Sequence, residues 1–303
     1  MFDLSIIILS YNTKKITLAC LDHLVRSKLR NYTVELSIVD NASTDGSILA
    51  INSFIKKYQR QIQAKLIKSS KNIGFAAGNN LGIADARGKY LLLLNSDVMV
   101  QKKTLKNQLD FMNNSNHFAA STCKLLLPVI DKNGSTVSYT MDPACHRGEP
   151  TLWNSFCYFS SLEAIFPRSR LFGGYHQTWK NLSQVHSLDA ISGGFFMIKK
   201  KVATKIGPLD EQFFMYAEDL DWCKRIRQAG YKLGFNPHAK AIHLKGFSGR
   251  KKTSAKNQNK LSSYHFYHTM KLYYQKHYAN HYPKVVMWLV LKFIDLKQNR
   301  YIL

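Results

Sequence analysis

Three groups of acidic residues stand out in a chain that holds only 19 Asp and Glu against 43 Lys and Arg. Asp97 follows the apolar run Tyr90 to Leu94 through Asn95-Ser96, Asp40 follows the run Val34 to Val39, and Glu218, Asp219 and Asp221 fall together just ahead of Cys223. An unbroken apolar run of this length reads as a strand buried on both faces. A lone carboxylate at the end of such a strand stands at the carboxyl edge of an open α/β sheet, where ligands of these sheets bind. Two carboxylates on neighbouring strand ends mark a site better than either does singly, because each by itself is an ordinary turn residue. The competing role for Asp97 is a cap on the helix that starts near Thr104, but the two are too far apart in sequence for that. For Glu218, Asp219 and Asp221 the competing role is simpler, since acids in the first turn of a helix match its dipole. His243 follows near the end of a strand pattern, where a lone histidine is more often structural than a ligand.

The elements that must hold these residues follow a regular rhythm. Leu4 to Leu9 predicts a buried strand, closed by Ser10-Tyr11-Asn12 with Thr13 placed as a helix cap. Leu18, Leu21, Leu24 and Val25 then recur at helical spacing. The strand Val34 to Val39 runs into a polar turn, Asp40 to Ser47, and a helix carrying Ile48, Leu49, Ile51, Ile55 and Tyr58. A shorter strand, Lys65 to Lys68, precedes Asn72-Ile73-Gly74 and a small-residue helix that ends near Arg87-Gly88, and the strand leading to Asp97 follows. This alternation predicts a parallel, doubly wound sheet. The segment Gly74 to Asn80 is neither GxGxxG nor a P-loop. Its glycines, Gly74 and Gly78, with Gly82 beyond, either let the helix pack tightly on the sheet or leave its N-terminal N–H groups facing a ligand.

Beyond Asn113 the pattern loosens. A strand at Phe118 to Cys123, a turn at Asp131 to Gly134 and an aromatic stretch from Trp153 to Phe159 read as the part that shapes an acceptor side. Leu188 to Lys199 reads as a strand or strand pair, with Gly193-Gly194 where a ligand or another backbone comes close. Leu220, Cys223, Ile226 and Ala229 form the inward face of a helix that ends at Gly230, and Lys232 to Phe235 and Ala239 to Leu244 predict two short strands.

Bulk properties narrow the class of partner. The 303 residues carry a formal charge of +24, which calls for an anionic partner: nucleic acid, an acidic lipid surface or a phosphorylated substrate. The five cysteines include no CxxC pair, which argues for a reducing compartment and against a disulfide scaffold or structural zinc. Cys145-His146 with Cys157 lacks a fourth metal ligand. No basic leader precedes the first strand pattern, and no apolar run reaches the ~20 residues of a membrane span, so a cytoplasmic protein is expected.

Taken in order, SIIILSYN, IVDNASTDGS, NIGFAAGNN, YLLLLNSD, ISGGFFMIKK, FFMYAEDLDWCKRIRQAG and His243 resemble the family 2 inverting glycosyltransferases of GT-A fold, in the rhamnosyltransferase-like branch. The resemblance spans roughly residues 3–247 and implies an α/β, Rossmann-like, mostly parallel sheet flanked by helices. It implies a catalytic domain at 1–247, with a nucleotide-sugar half at 1–112 and an acceptor half at 113–247, and a basic helical extension at 248–303. On this resemblance Asp40 holds the donor nucleotide, joined on the donor side by Ser10, Tyr11, Asn12, Asn72, Gly74, Gly78, Asn79, Asn95 and Ser96. Asp97 and His243 ligate a divalent metal, Mn2+ or Mg2+, and Asn95 stands where the family's DxD pattern has its first aspartate. Asp219 is the catalytic base, and Gly193, Gly194, Glu218 and Trp222 lie on the acceptor or sugar side. The implied donor is a nucleoside-diphosphate sugar and the acceptor a glycan or lipid-linked hydroxyl, as in bacterial surface polysaccharide synthesis. A metal neutralises the leaving diphosphate, the base takes the acceptor proton, and a single displacement inverts the anomeric centre without a second carboxylate as nucleophile.

The tail from Lys245 onward holds twelve Lys and Arg, one acid (Asp295) and many aromatics. Its apolar run Val285 to Ile294 is too short to span a bilayer and reads as a helix lying in an anionic membrane interface, peripheral to the inner face of the cytoplasmic membrane. The competing reading is a helical element packed on the core or on a second protomer. A basic nucleic-acid-binding protein would explain the charge and the aromatics, but acids converging on one edge would repel phosphate. A non-catalytic sugar-binding module would need no base.

Overall fold

A computed structural model describes residues 2–29, 31–245 and 256–301. Its strands are β1 (Leu4–Ser10), β2 (Val34–Asp40), β3 (Gln63–Lys68), β4 (Tyr90–Asn95), β5 (Val98–Val100), β6 (Phe118–Ile130), β7 (Thr136–Met141), β8 (His186–Leu188), β9 (Phe195–Lys199) and β10 (Lys232–His243). The helices are α1 (Lys14–Val25), α2 (Ser47–Tyr58), α3 (Gly74–Asp85), α4 (Thr104–Asn114), α5 (Leu152–Phe159), α6 (Leu162–Ile165), α7 (Lys200–Ile206), α8 (Glu218–Gln228), α9 (Lys256–Tyr278) and α10 (Lys284–Gln298).

The sheet order is β3-β2-β1-β4-β9-β6-β10-β5, with β7 beside β6 and β8 beside β10. The first four strands are parallel, with Ile6 opposite both Leu36 and Leu92, as the alternation of strand and helix requires. The second half is mixed rather than mostly parallel. β9 enters at the carboxyl edge, where Phe195 pairs with Leu94, and runs back along β4 to pair Lys199 with Tyr90. A strand that returns from the edge where its predecessor ended needs no crossover helix and is antiparallel. β10 is one strand where two were expected, and a bulge between Asn236 and Lys240 divides it. Pro237 sits in that bulge, as a residue without an N–H must.

α3 packs hard on β1. A Cβ added at Gly78 would lie 2.5 Å from a Leu9 methyl, so the tight-packing role applies there. Gly74 differs: it has φ +86°, and an added Cβ would strike the Phe214 carbonyl oxygen at 2.5 Å. Only glycine takes that backbone shape at little cost.

The C-terminal helices pack on the catalytic half. α9 buries Tyr273, Tyr274 and Tyr278 against Phe213, and Met287 and Ile294 of α10 close the same cluster. Ionic ties cross from α9 to α8: Lys276 and His277 reach the buried Asp221 at 2.7 and 2.8 Å. Lys224 bonds Glu149 at 2.7 Å, and Tyr278 and Arg227 bond the same carboxylate. Among the described residues no helix is long and apolar enough to cross a membrane.

These carboxylates make stability acid-sensitive. Burial opposes the charge of Glu149, but bonds from Lys224, Tyr278 and Arg227 outweigh it and bring its pKa down to about 2 from 4.5. Asp221 is likewise held at about 2, against burial, by His277, Lys276 and Arg225. Carboxylates lowered on folding stabilise above their unfolded pKa and lose that contribution as pH falls toward the folded value. The thermal midpoint followed by circular dichroism should therefore drop between about pH 4.5 and 2, and Glu149→Gln should flatten that limb while lowering the midpoint at neutral pH.

Candidate functional site

The carboxyl ends of β1, β2 and β4 deliver the first set of residues. Asp40 is fully buried at the end of β2. Its Oδ1 accepts the Ser43 N–H at 2.9 Å, while Oδ2, also buried, takes no hydrogen bond among the described residues. Next to it Asn12, at φ 52°, accepts the Thr44 N–H at 2.7 Å and donates its own N–H to Ser43 at 2.9 Å, which pins the β1–α1 turn to the β2–α2 turn. Asn41 accepts the Ile73 N–H at 3.0 Å and donates to Asn72 at 2.8 Å, and Asn72 accepts the Gly74 N–H at 3.0 Å. Tyr11 projects into solvent, while Ser10 is buried and shares hydroxyl contacts with Thr13 and Thr17.

Asp97 lies between β4 and β5, buried, with Oδ1 3.3 Å from His243 Nε2. It caps no helix: α4 begins at Thr104 behind Lys103. The other imidazole nitrogen, Nδ1, is 2.7 Å from Asp142 Oδ2, and Lys245 bonds the same carboxylate at 2.9 Å. Burial disfavours a charged imidazole, but the bonds to Asp142 and Asp97 prevail and raise His243 to about 9. The same contacts, with Lys245, pull Asp142 far below the carboxylate range despite its burial. Among the described residues no three or more His, Cys, Asp or Glu side chains gather around a common point, so Asp97 and His243 stand as a pair.

Asp219 occupies the first turn of α8. Its Oδ2 accepts from the Arg147 guanidinium at 2.7 Å and from the Gly193 N–H at 3.0 Å. The pair with Arg147 is nearly dry, with the two side chains 13% and 12% exposed. Burial weakens the charge of Arg147, but Asp219 more than restores it. Glu218 beside it is buried, with Oε2 unpaired among the described residues, and burial together with the Asp219 charge pushes its pKa up. Just upstream, Tyr216 and Ala217 both have positive φ, 76° and 65°. Such conformations cost roughly 1–3 kcal/mol each in non-glycine residues and gather at functional sites.

Gly193-Gly194 join the two sets. The Gly194 carbonyl accepts the Asn95 N–H at 3.1 Å. A Cβ on Gly194 would lie 3.6 Å from His243, and one on Gly193 would lie 3.2 Å from Phe75 and 3.9 Å from Asp219. The backbone thus passes between α3, the Asp97–His243 pair and Asp219, with Phe75 the tightest neighbour of Gly193 and Ser192 that of Gly194.

The chain matches the family description "Glycosyl transferase family 2" over residues 5–131. A low-salt glycan biosynthesis hexosyltransferase of Haloferax volcanii is 24% identical over 245 residues, which cover 80% of this chain and 67% of that protein. An N-acetylglucosaminyl-diphospho-decaprenol L-rhamnosyltransferase of Mycobacterium tuberculosis is 26% identical over 247 residues, 77% of this chain and 74% of that one. The family match over residues 5–131 and these two relatives support a family 2 glycosyltransferase. Its fold is shared with a mannosyltransferase of Pyrobaculum calidifontis in complex with GDP-Man and Mn2+, at TM-score 0.58 and 15% identity over 89% of this chain and 64% of that one. The GT-A sheet of these proteins is the frame in which the site lies.

Three expected site residues turn out to serve packing. Trp222 is fully buried, stacks on Phe196 and donates its indole N–H to the Gly207 carbonyl at 2.9 Å, so it cannot meet an acceptor. Gly78 faces Leu9 under α3. Asn79 is buried, and its amide is spent on the Phe75 carbonyl at 2.9 Å. Two site residues, Asp142 and Arg147, were not anticipated. Asp142 precedes a proline and accepts the Ala144 N–H, a local turn signature visible in sequence, whereas nothing around Arg147 announces it.

Glu218 gives a pH signature. A carboxyl whose pKa is raised on folding costs stability as pH climbs above its unfolded value near 4.5, because the folded state then holds a proton that the unfolded state has released. Glu218→Gln mimics the neutral acid, so the variant should gain stability over wild type as pH rises from about 4.5 toward neutrality, read by thermal melts across that range. Equal slopes in the two proteins would refute a raised pKa.

Proposed function

We propose that the chain transfers a sugar from a nucleoside-diphosphate sugar to a hydroxyl of a glycan or lipid-linked acceptor, with inversion at the anomeric carbon. The observation that carries this reading is the Gly193-Gly194 segment, which contacts the Asp219 carboxylate on one side and lies beside His243 of the Asp97–His243 pair on the other. The nucleoside end is assigned to Asp40, whose buried free Oδ2 can accept two donors from a base or ribose. The P. calidifontis mannosyltransferase, with GDP-Man and Mn2+, and TarS of S. aureus, in complex with UDP-GlcNAc, support a nucleotide-sugar donor.

A divalent cation fits the donor set. Asp97 Oδ1 and His243 Nε2 face each other, and Asp142 occupies Nδ1, which fixes the ring and leaves Nε2 to coordinate. Carboxylate oxygen suits Mg2+ or Mn2+, and the imidazole favours Mn2+. When bound, the cation supplies charge neutralisation for the departing diphosphate. Asp219 then takes the proton of the acceptor hydroxyl as it attacks the opposite face of the sugar. Arg147 and the Gly193 N–H hold the Asp219 carboxylate in place before the acceptor arrives. Preset orientation of this kind lowers a barrier without reorganisation at the moment of reaction.

Asp219→Asn keeps the shape and cannot take a proton, so donor binding should persist while transfer falls by about 10²–10⁴-fold. Product analysis by mass spectrometry against each nucleotide sugar measures this, and near-normal turnover would move the base to another residue. For the cation, Asp97→Ala and His243→Ala should both weaken Mn2+ binding measured by calorimetry. Because His243 holds a proton up to about pH 9, wild-type affinity for Mn2+ should rise by roughly tenfold per pH unit below that value. An affinity indifferent to pH, or unchanged by His243→Ala, would assign the histidine a structural role.

A further inference from the structure

The outer face of α10 has no partner in the fold. Val285, Trp288, Leu289, Phe293 and Leu296 are 64%, 58%, 57%, 56% and 66% exposed, while Met287 and Ile294 on the opposite side close the aromatic cluster with α9. At about 100° per residue these five side chains form one stripe roughly 140° wide. Lys292 lies in the middle of the stripe, Lys284 at its margin and Arg300 just beyond the helix, all exposed. The single acid of α10, Asp295, lies at the same margin as Lys284 and is bonded to Lys271 of α9 at 2.7 Å.

We infer that this face of α10 docks the protein on an anionic lipid bilayer, with the helix lying along the surface. Three features select that occupant. A basic rim with an apolar centre and an interfacial tryptophan is the surface of a helix that lies in the headgroup region. Lys292 can bury its methylene stem among Leu289, Phe293 and Leu296 and send its ammonium to the lipid phosphates. A second copy of the chain fits poorly, since α10 against α10 would bring Lys292 towards its like on two bodies each charged +24. A further exposed aromatic group on α5 and α6, including Trp153, Phe156 and Phe166, hangs from the same cluster, for Leu152 packs on it and Ser155 bonds Tyr274 at 2.8 Å. The inference stands on α10 alone and does not depend on the transferase reading.

The test is co-sedimentation of the full-length protein with vesicles of equimolar phosphatidylglycerol and phosphatidylcholine at low salt, beside vesicles of phosphatidylcholine only. Wild type should partition onto the anionic vesicles and lose most of that binding near 1 M salt, where the screening length is about 3 Å. Replacing Trp288, Leu289 and Phe293 together by serine should reduce binding by roughly tenfold or more, because burial of their apolar area is lost. These side chains are exposed, so the melting temperature should hold. Lys292→Glu is the second variant, which leaves the apolar stripe intact, and it should weaken binding several-fold on anionic vesicles only. Failure of wild type to bind anionic vesicles, or binding that ignores both variants, overturns the proposal. So does a dimer in size-exclusion chromatography that the triple variant dissolves, which would make the second copy the occupant.

Discussion

The structure depends on the need of a buried carboxylate for a partner. Asp40, Asp97, Asp142, Asp219, Asp221 and Glu218 are all withdrawn from water. A carboxylate so placed must be paired, hydrogen-bonded or protonated. That demand decides which distant segments meet. Arg147 is brought to Asp219 across 72 positions of sequence, and Asp142 to His243 across 101. For Glu218, burial and the neighbouring Asp219 charge outweigh the Arg147 charge and push its pKa up. Oδ2 of Asp40 and Oε2 of Glu218 are buried and take no hydrogen bond among the described residues. Removing one partner of such a pair is more damaging than never having had the pair, because the charge that remains is stranded.

What was readable in the sequence divides along the same line. The strand leading to Asp97 is a short apolar run and that leading to Asp40 a β-branched and apolar stretch interrupted by Glu35 and Ser37; both end in polar residues, so the carboxylates could be placed on one edge from residue order alone. The register of the parallel half follows from the same pattern. Between 113 and 189 the chain has no period to read, and the two residues that orient His243 and Asp219 both come from there. Trp222 misled for a definite reason: it adjoins Glu218, Asp219 and Asp221 in sequence, but a helix turns successive side chains by about 100°. Asp219 therefore faces Gly193 while Trp222 faces Phe196. Asn79 and Gly78 fell to the same ambiguity, since a small-residue helix start reads alike whether it packs or binds.

The tail shows how one composition can meet two demands. Its basic and aromatic residues were read as a membrane segment, with packing as the rival. α9 takes the packing role, supplying Lys276 and His277 to Asp221 and Tyr278 to Glu149. α10 is held by α9 through one face and keeps its apolar stripe and its lysines on the other. Packing thus accounts for α9 and for one face of α10, and the aromatic cluster between the two helices keeps the exposed face of α10 in a fixed orientation.

Charge also separates the transferase reading from that of a general polyanion binder. A net charge of +24 would draw nucleic acid to any open surface. Yet the carboxyl edge of the sheet gathers the carboxylates of Asp40, Asp97, Asp142 and Asp219, with Lys245 and Arg147 each already bonded to one of them. Two like charges at contact distance repel by several kcal/mol once water is excluded. An anion can settle there only if a cation comes with it or if His243 keeps its proton, and a diphosphate carrying a divalent ion meets that condition in a single ligand. The lysines and arginines that dominate the composition lie elsewhere, among them the exposed margin of α10. The few buried acids thus limit what the edge of the sheet can hold.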